Sequence, residues 1–530
     1  MPNTHIPFKS TGYFSQLILD YIDRKDSVKH LYENFPDMGG FKKQIQQKRS
    51  EFSKDSREVL AKSLLHQYSN TNTSNVTIEN IESLREPNTF TIVTGHQLNL
   101  FTGPLYFLYK IVSTINLCKQ LKEEFPKENF IPVYWMATED HDFQEINHFF
   151  IEDNKISWDV ESTGPVGRKK TNNFEAVFNE FSNYLGGKKT SDQLKKLFIE
   201  SYEKHESLTE AMRFLVNELF GLYGLVIIDG DDVSLKEQFI PFVEKELKEK
   251  YAIGAIENTN SFLLENYKVQ VNPREINLFY IENDLRERIV FENNTYKINN
   301  TTIEFTVEEI LQELKLSPEK FSPNVIMRPL YQEVVLPNLC YIGGGGELAY
   351  WLQLKELFTA SKISFPILLL RNSVLLASEK QGRKIKNLNL EYQNLFLKQS
   401  DLLTKVVREC CQIDLDLLKQ KELLKKIFED LKPIAETTDP SFKGALAAQE
   451  KKQLKGLHNL EKRLLKAEKR KHSDVTNRVV EIQNTLFPRK GLQERNVNFA
   501  GFYEEYGEDL IPTLLKELDP LELSFSVLEL

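Results

Sequence analysis

Between residues 11 and 70 the apolar positions Phe14, Leu17, Ile18 and Tyr21 fall three and four apart, which predicts helices. The pattern then changes to short apolar runs. Residues 90–94 predict a strand ending in Gly95-His96-Gln97, and after Gly103-Pro104 a helix is predicted over 105–124. A second strand is predicted at 131–137. Strand, loop, helix, strand is a βαβ unit, which implies parallel strands joined by a right-handed crossover. Further strands are predicted at 224–228, 325–328 and 365–370, the last a nearly unbroken apolar run suited to a strand covered on both faces. Residues 150–220 (a polar loop, then helices) and 255–322 (short alternating strands) read as insertions in a doubly wound α/β sheet.

From about residue 376 the spacing becomes that of a coiled coil. Leu403, Val406, Cys410, Ile413, Leu417, Gln420, Leu424, Ile427 and Leu431 alternate by three and four. Pro433 and Pro440 are expected to break this seam, with a second long helix over about 444–486. The organisation expected is a core over 1–375, an antiparallel helical arm over 376–487, and a tail over 488–530 that packs back on the core. A 30-residue limb would span roughly 45 Å.

Composition narrows the class. With 41% hydrophobic and 27% charged residues among 530, the chain is expected to be globular and of more than one unit. The net charge of −9 argues against bulk binding to nucleic acid or anionic membrane. The start of the chain lacks the layout of an export signal, and the densest apolar stretch, 365–377, contains Arg371 and Asn372 and is too short to span a bilayer. Cys118, Cys340, Cys410 and Cys411 form no CxxC pair, so reduced structural thiols and a cytoplasmic location are expected.

Three loops carry candidate chemistry. The first, 94–104, joins a strand to a helix; Gly95 and Gly103 permit close approach, and His96, Gln97, Asn99 and Thr102 offer donors and acceptors. Lys110, one to two turns into the helix, could reach an anion. The second follows the strand at 131–137: Glu139, Asp140, His141, Asp142, then Glu145, Asn147 and His148. Clustered carboxylates and imidazoles shift one another's pKa and suit acid/base or substrate-holding roles. If helical from Phe143, the segment would put His141, Glu145 and His148 on one face, so a metal-dependent hydrolase of a small sugar conjugate is the alternative; no metal is the primary expectation. The third is the run Gly343 to Gly346 followed by Glu347, with Gly344, Gly345 and Glu347 expected to face substrate, beside the cations Arg328 and Arg371 and the amide of Asn372. The first two loops are expected to converge over one cavity that His96 and His141 share. Residues 443–478 hold eleven Lys or Arg against four Asp or Glu, which keeps open a non-enzymatic RNA-binding or scaffold role for the arm.

The stretches 94–97, 100–106 and 135–148, with 341–351, 460–472 and 492–495, resemble the bacillithiol-biosynthesis cysteine-adding enzymes over nearly the full chain. The resemblance implies a Rossmann-like core and a coiled-coil arm that supports a homodimer. It also implies ligation of cysteine, through its carboxyl group, to the amine of glucosaminyl-malate. The resemblance extends to class I aminoacyl-tRNA synthetases and related nucleotidyltransferases, which implies carboxyl activation by ATP, although HIGH and KMSKS signatures are absent. The residues suit that chemistry: an amine nucleophile must lose a proton, which Asp140, His141 or Asp142 could accept, with His96 a further catalytic candidate, while Arg495 is either a weak nucleotide contact or a pin for the tail. His96 departs from the family, where many relatives carry glutamine, which argues against an indispensable proton transfer there.

Overall fold

The computed structural model describes residues 3–411 and 413–530. The chain divides into two compact units, one of residues 1–375 with 491–528 and one of 376–490 with 529–530.

The first unit is built on five parallel strands: β1 (Thr89–His96), β2 (Asn129–Met136), β3 (Val226–Asp229), β4 (Asn338–Gly343) and β5 (Ile367–Leu370). Their spatial order is β5-β4-β1-β2-β3. Running outward from β1 in both directions, this is the doubly wound arrangement of a Rossmann-like sheet, and its switch point lies between β1 and β4. Register brings the strand ends to one edge: His96 pairs with Met136, Met136 with Asp229, Thr94 with Ile342, and Gly343 with Leu370.

The long helix α1 (Tyr106–Glu124) packs across β1, β2 and β4, and its Leu117 and Leu121 join Phe90, Ile92, Ile342 and Leu369 in the core. The one-turn helix α2 (Phe143–Ile146) follows β2, and α3 (Val233–Glu249) follows β3. Helix α4 (Met327–Val335) precedes β4, and α5 (Gly345–Trp351) follows it. The insertion before β4 forms its own antiparallel sheet, with Leu278–Glu282 paired to both Leu285–Glu292 and Phe321–Pro323. At the ends of the chain, Phe525–Glu529 pairs antiparallel with Asn3–Ile6.

Two expectations fail here. The strand expected at 325–328 is instead the start of α4, because the Asn324 side chain accepts from the backbone of Ile326 and Met327 (2.9 and 3.2 Å) and turns the chain into a helix. The strand at the switch point, β4, is not among those the apolar pattern predicts, because Asn338 and Gly343 dilute its short apolar run.

The second unit is helical: α6 (Gln399–Cys410), α7 (Leu418–Glu436), α8 (Pro440–Lys471) and α9 (Ser473–Leu486). Helices α7 and α8 form an antiparallel hairpin, in which Lys421 pairs with Glu461 at 2.5 Å. The expected continuous seam is broken between Cys410 and Leu418, where the Asp414 side chain accepts from the Asp416 backbone (3.0 Å) and Asp416 takes both arms of Arg408 (3.0 and 2.8 Å). Pro433 lies inside α7 rather than ending it, and Pro440 opens α8 at its first turn, where a proline loses no helical hydrogen bond. No helix among the described residues is long and apolar enough to cross a membrane.

Candidate functional site

In open α/β sheets ligands bind outside the carboxyl ends of the strands, at the switch point. At that point β1 ends in Gly95 and His96, and β4 ends in Gly343. Lys110, fully buried on α1, donates to the carbonyl of Gly95 (2.5 Å) and to the Glu347 carboxylate (2.7 Å). Glu347 also accepts from the Tyr341 hydroxyl (2.8 Å) and the Gly344 amide (3.2 Å). Burial opposes its ionised form, but the Lys110 charge and these hydrogen bonds outweigh it and hold Glu347 below the usual range. Burial lowers Lys110, and Glu347 works against that shift.

Arg328 sits beside this pair, its guanidinium 5.8 Å from the Tyr341 ring and 5.9 Å from that of Trp351. It donates to Gln332 (3.1 Å) and, among the described residues, has no carboxylate within ion-pair distance. Gly95 is closely approached: a Cβ there would lie 3.2 Å from the Tyr341 hydroxyl and 3.8 Å from Arg328. Gly344 is buried and Gly345 half-buried at the mouth of this crevice.

The loop between β1 and α1 is strained. Phe101, Thr102 and Gly103 all have positive φ (47°, 66° and 65°). Asn498 from the tail donates to the carbonyls of Phe101 (2.7 Å) and Gly103 (2.6 Å), which fixes them. Strain of this kind persists only where surrounding structure over-determines it, and such positions cluster at ligand sites. Three buried polar atoms in the loop have no protein partner: His96 Nε2, Asn99 Oδ1 and Thr102 Oγ1. Buried polar groups ordinarily find a partner, and three of them side by side at a sheet's ligand edge suit a polar ligand.

His96 packs against Tyr106 and Phe107, with ring centres 5.4 and 5.2 Å away. Burial, with Lys110 and Arg371 nearby, holds it well below its ordinary pKa and hence neutral. Arg371 is 3% exposed and makes a two-pronged pair with Glu494 (3.0 and 2.7 Å), its guanidinium 4.9 Å from the Tyr106 ring. Asn372 accepts from Ser113 (2.8 Å) and donates to the carbonyl of Asp519 (2.7 Å), so its amide ties the tail to the sheet. Arg495 is exposed, and it and Arg371 work against the burial that raises Tyr106 to about 12.

The acidic loop beyond β2 forms a second cluster. Glu139, buried, pairs with Lys236 of α3, and burial raises its pKa against that pairing. Asp140 accepts from Gln97 (2.9 Å) and from the His141 backbone (2.7 Å). Burial opposes its charge, but the His141 side chain, Gln97, Arg286 and the His141 backbone together hold it far below the usual carboxylate range. Arg286, delivered by the inserted sheet, lies 2.6 Å from His141 Nδ1. Arginine has no acceptor, so in this contact the imidazole nitrogen is the accepting partner. The same nitrogen lies 3.6 Å from Asp140, so the imidazole stands between the arginine and the carboxylate. Deeper in, Asp229 accepts from Thr138 and is raised to about 6 by burial and by Asp231, which pairs with Arg168 (2.7 and 2.8 Å).

An open hollow of 440 Å³ lies against this second loop, lined in part by His141, Asp142, Gln144, Asp159 and Glu161. His96 does not line it. The expectation of one cavity shared by His96 and His141 is therefore corrected: the loops touch through Gln97, which donates to Asp140 and to Glu145 (both 2.9 Å), but the two histidines face different surroundings. The alternative of a metal-binding face shared by His141, Glu145 and His148 does not form. Helix α2 stops at Ile146, and His148 opens a hairpin strand (His148–Ile151), its ring beside the Asn147 side chain (3.1 Å). Asn147 is buried and bonds Asp159 (3.3 Å). Asp229 and Asp231 follow a strand end just as Glu139 to Asp142 do, so the same signal would have found them. Arg286, Lys236 and Glu494 carry no local signal.

A parallel sheet ordered outward from its first strand, with polar loops at one edge and a separate helical hairpin, defines a Rossmann-like protein with a coiled-coil domain. Comparison with family models matches residues 1–372 to the "Bacillithiol biosynthesis BshC, N-terminal Rossmann-like domain" and 374–530 to the "C-terminal coiled-coil domain". The chain belongs to this family. Curated relatives named "Putative cysteine ligase BshC" include those of Flavobacterium johnsoniae (55% identical, 100% of both chains) and Christiangramia forsetii (51%, covering 100% of this chain and 99% of that one). A solved chain described as a "putative arginyl t-RNA synthetase" from Campylobacter jejuni covers 80% of this chain and 99% of its own, at 9% identity and a TM-score of 0.20, too low to carry an argument.

Proposed function

We propose that this protein is a ligase that joins cysteine, through its carboxyl group, to the amine of glucosaminyl-malate in the last step of bacillithiol synthesis. The full-length match to relatives named for cysteine ligation carries this assignment. Charge at the sheet edge supports it. The switch-point crevice offers Lys110, Arg328 and the glycine backbone at Gly344 and Gly345, which suit carboxylate or phosphate oxygens. The hollow by the second loop is acidic through Asp142, Asp159 and Glu161, which suits an ammonium group.

ATP fits the crevice on the same grounds, with Arg328 free of any carboxylate partner among the described residues; when bound it would supply an activated cysteine carboxyl. The nucleophilic amine must lose a proton. Asp140, held ionised, is a strong hydrogen-bond acceptor and a weak base, so it positions His141 and Gln97. Asp142, exposed on the hollow and without an ion pair among the described residues, is assigned as the proton acceptor. His96 acts as a neutral spacer that shapes the Gly95 loop. A homodimer through the helical unit belongs to the same proposal, supported by Leu423, Ile427 and Ile434 standing exposed on α7. So does a cytoplasmic location.

The test is incubation of purified protein with glucosaminyl-malate, cysteine and magnesium ATP, read by mass spectrometry. The condensed thiol should form with stoichiometric AMP. Absence of that thiol under these conditions, with unchanged glucosaminyl-malate levels in a deletion strain, removes the assignment.

A further inference from the structure

The helical unit holds a cluster that the ligase chemistry does not use. Cys411, just beyond α6, and Glu468 and His472, one turn apart at the end of α8, bring a thiol, a carboxylate and an imidazole together. Their ligand atoms all lie within 4.8 Å of one another, the only such trio of His, Cys, Asp or Glu among the described residues. Cys411 Sγ is 3.1 Å from Glu468 Oε2, and that oxygen is 3.5 Å from His472 Nε2. Zinc bonds of about 2.0 Å to oxygen and nitrogen and about 2.3 Å to sulfur, at tetrahedral angles, separate neighbouring ligands by roughly 3.3–3.6 Å. The observed spacings approach those edges before any ion draws them in.

A second observation points the same way. Helix α8 is exposed almost everywhere, and among the described residues its one buried member is Glu468, 7% exposed. The Cys411 thiol donates to this carboxylate, and a metal ion would take the place of that shared proton. The cations present are weakly placed: Lys471 is 3.6 Å away on a side chain 69% exposed, and His472 is 3.5 Å away.

We propose that Cys411, Glu468 and His472 form a binding site for a zinc-class transition-metal ion, with solvent as fourth ligand. The donor set of thiolate, imidazole and carboxylate selects borderline-soft ions over magnesium or calcium. On binding, the Cys411 S–H bond breaks, its proton goes to solvent, and the thiolate pair forms the bond to the metal. Lys471 swings outward at little cost, since it is already mostly solvated. The ion ties the segment between α6 and α7 to the end of α8, a staple for a hairpin with little apolar burial of its own.

The full-length protein, stripped with chelator and titrated with cobalt(II) and then zinc, tests this. One cobalt per chain should bind with tetrahedral d–d absorption and a thiolate charge-transfer band, and zinc should displace it. Cys411→Ser should abolish the charge-transfer band, and His472→Ala and Glu468→Gln should each weaken binding by more than about 100-fold, beyond the roughly 10–100-fold that outer-shell changes produce. Cys410→Ser, with its exposed neighbouring thiol, should bind as the unmodified chain does. Circular dichroism at room temperature separates lost ligation from lost folding. Absence of stoichiometric binding by the folded protein, or a charge-transfer band that survives Cys411→Ser or disappears with Cys410→Ser, overturns the site.

Discussion

Glu494→Gln isolates a deeply buried, two-pronged ion pair of the N-terminal unit. Arg371 and Glu494 are 3% and 1% exposed, and Glu494 also accepts from the backbone of Val374 (3.0 Å). Removing one partner of a buried pair strands the other charge and costs roughly 3–5 kcal/mol. Glutamine keeps one acceptor oxygen, so the lower end, about 3 kcal/mol, is expected. A unit of about 400 residues unfolds with an entropy near 0.9 kcal/mol/K, so the midpoint should fall by about 3–4 °C. All three tryptophans, Trp135, Trp158 and Trp351, lie buried in this unit, so their fluorescence follows its melting without contribution from the helical arm. Arg371→Met combined with Glu494→Leu should recover more than half of the loss, because a matched apolar pair strands no charge; the Val374 amide remains unpaired at about 1 kcal/mol. A single-variant shift below about 1 °C, or a double variant worse than the single, would refute the assignment of this pair as a charge lock.

Other consequences are as direct. Asp229 is raised to about 6 when folded, so it binds its proton more tightly in the folded state, and the stability it contributes at low pH is lost as pH rises from about 4 through about 6. Asp229→Asn should flatten that slope in urea-denaturation midpoints and gain up to about 3 kcal/mol at pH 7. Gly103→Ala would place a Cβ 2.6 Å from that of Asn99 at φ +65°, and should lower stability by about 1–3 kcal/mol in the same melts. Arg328→Met should lower kcat/KM for cysteine ligation by about 10–100-fold, the worth of a hydrogen bond to a charged group, with the tryptophan melt little changed.

Much of the sheet was legible because its strands are dense apolar runs: Phe90 to Val93, Ile131 to Trp135 and Ile367 to Leu370 announce themselves. Strand β4 did not, since Asn338, Cys340 and Gly343 dilute its apolar signal, yet it forms one wall of the switch point. The Val325-Ile326 pair misled in the opposite direction because a single Asn324 side chain overrides β propensity there. Heptad spacing carried through Ile413 and Leu417 although Asp414 and Asp416 turn the chain between them. At the edge, the sequence located the loops but not their partners. Lys236 stands 97 residues from Glu139, and Glu494 stands 123 from Arg371, separations that no local pattern encodes.

The clasp of Asn498 on Phe101 and Gly103 has a temporal side. The donor follows the Phe101 carbonyl by 397 residues, which at ribosomal rates of about 5–20 residues per second is a delay of roughly 20–80 s. Through that interval the nascent chain carries its ligand loop without the side chain that closes it, and the Asn3–Ile6 strand waits longer still for Phe525–Glu529. Competence is thus a late event in this protein's birth.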